Sequence, residues 1–346
     1  MQDLANIKKI SNILPHPNAD ALEIAIIEGW QCVVKKDQFK VNDLIVYIAI
    51  DTVLDSKPSW ASFLEQRNWR VRLIKLRGEL SYGLILPISV LPENTIVELD
   101  ADVSSLLGVI KYQKPESNHG KNYGFPGKTK SNSFPSFTGM HVTDEINIQS
   151  KVKALEELHG EPYYITTKWD GSSMTAIYAS TSSNPDGEFI LASRNRWLEF
   201  SDEAIDNWSK AARKYNLFEV LKNSDYGIQC ELVAPGIQSN RAGLSEVEIR
   251  IFNLFNKKTK KYVGLKELQD FCYSNKLPMA TMVESGDCFN YTLDQLLALA
   301  KATKYPNNFP AEGIVLRPQK PMHSNVLKGE WSCKILNSDY LLKFEE

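Results

Sequence analysis

Two rhythms of apolar and polar residues divide this chain. From Ile7 to about Leu91, short runs rich in β-formers alternate with turn residues, at positions 25–27, 31–34, 44–48, 70–74 and 83–87. Strands at this spacing predict a small barrel or sandwich. Apolar periodicity then disappears between residues 105 and 136, where Lys, Asn, Ser, Gly and Pro dominate, which predicts a linker. Beyond it the rhythm changes again. Val152, Leu155 and Leu158 recur at helical spacing and stop at Gly160, predicting a helix over 150–159. Two apolar runs, 163–167 and 174–178, flank Lys168-Trp169-Asp170-Gly171. Further strands are predicted at 189–193, 227–233, 249–255, 313–317 and 331–336, with helices at 202–216, 265–275 and 293–303. Hairpins and helices without regular βαβ alternation predict an α+β domain with antiparallel sheets over residues 137–346.

Five short strands within about 90 residues fit an OB-type β-barrel over residues 1–104, a fold whose sheet face and loops often bind oligonucleotides. Arg67, Trp69, Arg70, Arg72, Lys75 and Arg77 form the densest basic and aromatic cluster of the chain. Guanidinium groups for phosphates and a ring for stacking suit nucleic acid. An edge strand whose cations suppress sheet-to-sheet association fits the same residues. With 40 Lys and Arg against 42 Asp and Glu the net charge is −2, so a nucleic-acid partner has to be held by local patches rather than by a global field.

No run of eighteen apolar residues occurs, and the first residues lack the pattern of a secretory signal. Five cysteines without a Cys-x-x-Cys pair and five scattered histidines predict reduced thiols, no structural zinc and an intracellular, cytoplasmic or otherwise reducing compartment. No membrane partner is expected.

Charged residues inside apolar stretches need a reason to be there. Lys168 sits where a strand meets a turn, and Asp170 projects from the same side of that segment. A lysine amine attacks phosphorus once it is deprotonated. Lys-x-Asp-Gly turns up by chance in about one chain in ten of this size, and a solvated lysine beside a hairpin turn fits it as well. Glu231 lies within an apolar strand and Glu312 leads another, where an ionised carboxylate is costly without partners. Each also fits a strand-end glutamate reaching solvent. Arg194 and Arg196 close a strand and Lys334 lies near the C-terminus, both suited to phosphate contacts. Neither common glycine-rich nucleotide loop is present.

In order, these segments resemble the covalent nucleotidyltransferase superfamily of polynucleotide ligases and capping enzymes, over most of residues 140–346. In that family the lysine of Lys-x-Asp-Gly becomes linked to AMP, and this chain matches with Lys168, Asp170 and Gly171. The arginine motif is matched at Arg194, Glu-Leu-x-x-Pro-Gly at Glu231, and Glu-Gly-x-Val-Leu-x-Pro at Glu312, Gly313, Val315, Leu316 and Pro318. The aromatic residue that stacks on adenine is assigned to Phe252. The final Lys-x-Lys motif keeps only Lys334, with Ser332 at its first position; Arg317 and Lys328 are the candidates to stand in. An OB module ahead of the transferase domain resembles a smaller group of nick-sealing RNA ligases, and the opening residues 13–20 and 29–34 look like that group's OB domain.

The resemblance implies an ATP-dependent RNA ligase, active as a monomer in RNA repair, that seals a 3′-hydroxyl to a 5′-phosphate through a lysyl-AMP. The implied substrate is a nick in a duplex with an RNA 3′-hydroxyl end. It assigns catalysis to Lys168, Asp170, Glu231, Glu312 and Lys334. Nucleotide contacts are assigned to Lys168, Arg194, Glu231, Phe252, Val315 and Lys334. A magnesium or manganese ion falls to Asp170 and Glu312 through water. A capping-type guanylyltransferase shares the lysine chemistry, but the early OB domain argues against it. A non-catalytic OB-fold RNA-binding protein would have an eroded motif set, and here the lysine and both glutamates stand.

Overall fold

The computed structural model describes residues 4–112, 128–142, 144–181 and 184–344. The chain divides into two compact units. The described residues of Met1–Asn118, Ile148–Val152 and Leu341–Glu346 form the first, and those of His119–Asn147 and Lys153–Tyr340 the second.

The first unit is built from small antiparallel sheets. Leu44–Ile48 pairs on one side with Ala5–Lys9 and on the other with Leu84–Pro87. Asn12–Pro15, Leu22–Ile27 and Trp30–Lys35 form a meander. Alternation along these strands turns Ile7, Val46, Ile48, Leu54, Val71, Leu86 and Val109 into one core. The strand expected over 70–74 is broken in two, because the chain changes partner there: Val71 pairs with Thr52 while Ile74 pairs with Ser81. The expected linker is also corrected at both ends. Ser104–Leu107 is helical, and Val109–Lys111 pairs with Thr52–Leu54, burying Val103, Leu107 and Val109 in the core of the first unit. At the other end Thr129–Ser131 pairs with Trp197–Leu198 in the second unit. The remainder, 113–127, lies outside the described residues.

The second unit is α+β, with two sheets. Seven antiparallel strands run in the order Thr129–Ser131, Trp197–Leu198, Glu188–Ala192, Ser172–Ala179, Tyr226–Val233, Glu248–Asn256 and Lys261–Tyr262. Five run in the order Ile146–Asn147, Cys333–Leu336, Gly313–Pro318, Tyr163–Lys168 and Met282–Gly286, antiparallel except for the first pair. The helices Asn207–Lys214, Leu217–Lys222 and Leu265–Ser274 cover one face of the seven-stranded sheet. There Trp208, Ala211, Leu217, Leu221 and Leu268 pack on Met174, Leu191, Ile228, Cys230 and Leu232. Because side chains alternate along a strand, Gln229 and Glu231 lie on the opposite face.

The helix expected over 202–216 is shorter, Asn207–Lys214, capped by Asp206, which accepts from Ser209 N at 2.9 Å. Asn216, in the left-handed region at φ 49°, then turns the chain into a second helix, Leu217–Lys222. The helix expected over 150–159 is reduced to Ala154–Leu158. Among the described residues, no helix is long and apolar enough to cross a membrane. Cys32, Cys230, Cys272 and Cys333 are buried free thiols, and Cys288 is an exposed one.

Candidate active site

Two glycines allow close backbone approach around Lys168, Gly313 within the five-stranded sheet and Gly171 against the seven-stranded one. Lys168 ends its strand opposite Gly313, and the turn Trp169–Asp170–Gly171 carries the chain from the five-stranded sheet into the seven-stranded one. A Cβ on Gly313 would come within 2.2 Å of Ile335 O, and one on Gly171 within 2.4 Å of Leu232 O and 3.0 Å of Glu231 Cγ. No side chain fits either place, which is why both motifs carry glycine. Thr166 pairs with Val315 and Val315 with Lys334, forming a row on one face of the sheet; Lys168 lies two residues beyond Thr166 on that face. On the other sheet Glu231 pairs with Ser173 and Arg250.

The ammonium of Lys168 lies 2.6 Å from Glu312 Oε2. Burial alone would lower the lysine pKa, but Glu312 and Glu231 outweigh it and hold the proton on the amine more firmly than usual. Glu231 shows the reverse pressure. Burial pushes it up to about 8; Lys168 pulls it down, and Glu312, Asp170 and Glu145 repel its charge. Lys334 is lowered by burial and by Lys168. Its Nζ lies 3.7 Å from Asp144, whose other oxygen is 3.0 Å from Arg194, so one carboxylate bridges the two cations.

Tyr305, which sequence reasoning missed, pins both motifs. Its hydroxyl accepts from the Asp170 and Glu312 amides at 3.0 and 3.2 Å and donates to Lys168 O at 3.4 Å. Its ring packs on buried Trp169, with centroids 5.0 Å apart, and the guanidinium of Arg250 lies 4.4 Å from the Trp169 ring. Asp170 Oδ2 accepts from Arg241 at 2.6 Å and from Tyr340, and Arg241 also donates to the Tyr340 hydroxyl at 2.7 Å, so this carboxylate anchors the turn. Arg241 sits in a loop and Tyr340 in the C-terminal helix Ser338–Phe344, where neither carries a sequence signal.

Phe252 is the extra residue of a β-bulge: Gln229 pairs with Asn253 and Cys230 with Ile251, leaving Phe252 unopposed. Bulges re-aim side chains. Arg317 holds it there, donating to Phe252 O at 2.9 Å, to Ser332 Oγ at 2.9 Å and to Glu145 at 2.6 Å. Arg317 therefore lies beside Ser332, the position of the missing lysine. Lys328 lies exposed in the turn between His323–Ser324 and Gly329–Glu330.

The basic cluster of the first unit divides. Arg70 is buried, 2.7 Å from Asp51 and 3.7 Å from the Tyr112 ring centroid, and Trp69 packs on the core. Buried and paired, Arg70 serves the fold, and its expected contact with nucleic acid is withdrawn; Trp69 is only partly buried. Arg67, Lys75 and Arg77 are exposed and Arg72 partly so.

The chain as a whole is similar to known proteins. Residues 161–331 match the family model described as RNA ligase, and residues 4–88 match one described as an OB-fold domain. Among solved structures, the chain is similar to Naegleria gruberi RNA ligase with PPi, at 27% identity and TM-score 0.82, covering 99% of this chain and 98% of that one. A glutamate-to-alanine variant of that ligase with ATP and Mn matches over 100% of both chains, at 27% identity and TM-score 0.85. A lysine-to-methionine variant with AMP and Mn gives 27% and 0.84, over 98% of each chain. No curated protein matches.

Proposed function

The chain belongs to the ATP-dependent RNA ligases of the covalent nucleotidyltransferase superfamily that carry an N-terminal OB domain, and on that premise we propose that Lys168 is the residue that takes AMP from ATP. Lys168 Nζ attacks the α-phosphorus and pyrophosphate leaves, giving a lysyl-AMP. A 5′-phosphate end then attacks the same phosphorus and carries the AMP away from the lysine. A 3′-hydroxyl finally attacks that activated end, the phosphodiester forms, and AMP leaves. Charge gathers on phosphoryl oxygens in each step, and Lys334 and Arg194 are the cations beside the lysine to receive it. Asp144, which bridges the two cations, would give way to phosphate. Phe252, fixed by Arg317, would stack on the adenine.

The enzyme uses magnesium or manganese, and the site suits such an ion. Glu231, pushed up to about 8 among Glu312, Asp170 and Glu145, marks a place short of positive charge. Among the described residues no three acidic, His or Cys side chains converge as direct ligands, which suits an ion held mainly through water and phosphate. With Asp170 committed to Arg241 and Tyr340, Glu312 and Glu231 are the carboxylates to hold it. Bound there, such an ion would supply positive charge that competes with the ammonium for Glu312 and favours the free amine.

The observation that carries this reading is the Lys168–Glu312 pair at 2.6 Å, at the junction of two sheets and beside bridged cations. We extend it to nicks in duplexes with an RNA 3′-hydroxyl strand, in RNA repair. Arg67, Arg72, Lys75 and Arg77 would hold the duplex. Five free thiols support action in a reducing compartment. The test is the intact mass of the purified protein. We expect an AMP-sized adduct that pyrophosphate removes, and no labelling of a folded Lys168→Met variant by α-labelled ATP; persistent labelling of that variant would end the assignment.

A further inference from the structure

The sheet face that carries Glu231 does not end at the nucleotide site. Glu231 pairs with Ser173; one row along, Gln229 pairs with Thr175, Thr175 with Ala192 and Ala192 with Trp197. Paired residues share a face, so Trp197 lies on the same side as Glu231, opposite the helix-covered core. It sits three strands away, about 14 Å at about 4.8 Å per strand. Phe137 lies against it with ring centroids 5.4 Å apart at 53°, and Lys130 Nζ lies 4.2 Å from the Trp197 ring centroid. Phe137 is 54% exposed, although aromatic rings of that size are usually covered.

The hairpin turn that links Glu188–Ala192 to Trp197–Leu198 carries Arg194 and Arg196. Arg194 bonds Asp144 and Lys130 bonds Glu188, whereas Lys128 and Arg196 have no ion pair among the described residues. A half-exposed ring beside cations is the chemistry that single nucleotides use, a flat π-face with phosphate contacts alongside.

We propose that Phe137 and Trp197, with Lys130 and Arg196, form a stacking platform for a nucleotide of the RNA strand a few residues from its reacting end. This rests on the ligase reading above and adds to it a contact surface on the catalytic unit itself. The reacting phosphate would sit at Lys334 and Arg194, and the strand would leave along the sheet face over the hairpin turn.

The experiment uses the full chain and a fluorescent nicked duplex with an RNA 3′-hydroxyl strand. Binding is measured directly, and lysyl-AMP formation is measured with ATP alone. Phe137→Ala should bind the nick about tenfold more weakly, with lysyl-AMP formation unchanged. Phe137→Tyr should bind like the parent and Phe137→Leu like the alanine variant, since stacking needs a ring and apolar packing does not. Wild-type affinity in both the alanine and leucine variants overturns the platform. So does a loss of lysyl-AMP formation in step with binding, which would make Phe137 a part of the fold. Absence of any lysyl-AMP in the parent chain would instead overturn the ligase reading, and the nick-binding comparison would still decide the platform.

Discussion

Glu231 carries the largest electrostatic penalty that the site concentrates on a carboxylate. Its pKa rises from its ordinary value of 4.5 to about 8, so the folded protein holds a proton there that the unfolded chain releases. Stability therefore falls as pH rises through that window, and the full cost is present above pH 8. Glu231→Gln removes it. Without nucleotide or metal, the variant should be more stable than the parent at pH 8.5, by on the order of 1–3 kcal/mol, and equal to it near pH 4.5. Thermal unfolding at the two pH values checks this, and a gain of the same size at both would show that packing and not charge is responsible. Activity should fall, since the carboxylate that burdens the fold is one proposed to hold the ion. Part of this network is legible in the sequence. Lys168, Glu231, Glu312 and Lys334 announce themselves because charge in an apolar strand is conspicuous. Tyr305, Arg241 and Tyr340 do not, because a tyrosine or arginine in a loop or terminal helix looks like any surface residue until the fold brings it to Asp170.

At the scale of elements, strands with continuous apolar runs can be read from the chain within a residue or two. The run 44–48 is the observed Leu44–Ile48, and 313–317 is Gly313–Pro318. Met282–Gly286 escapes such reading because it is an edge strand whose polar Glu284 and Ser285 interrupt the apolar run, Glu284 accepting from the Tyr163 and Tyr291 hydroxyls. The parallel pair Ile146–Asn147 with Cys333–Leu336 escapes for a different reason: two residues are too few to show a period. The most exacting element is the turn at Gly171. Gly171→Ala would drive a methyl group into Leu232 O and against Glu231 Cγ. The strand carrying Glu231 cannot yield without breaking its pairing on both sides. Lysyl-AMP formation should drop at least tenfold in this variant, measured by α-labelled ATP, with a loss of stability of about 1–3 kcal/mol. Near-parental labelling would mean that the turn has room to relax.

For the whole molecule, the proposed separation of labour assigns duplex binding to the first unit and chemistry to the second. Replacing Arg67, Arg72, Lys75 and Arg77 together by alanine should flatten the dependence of nick affinity on salt, the slope falling by about 0.7–0.9 for each phosphate that the variant no longer neutralises. Labelling by ATP should be unchanged. An unaltered slope would assign these cations to surface solvation instead. The net charge of −2 makes the slope easy to interpret, because no general field competes with the local patch. The ion pair between Lys168 and Glu312 has a consequence for the resting protein as well. An amine that keeps its proton reacts slowly with aldehydes and activated acyl groups, so the ion pair should slow stray reactions at Lys168 in any molecule not yet carrying AMP. Reactivity would then arrive together with the substrate that is meant to consume it.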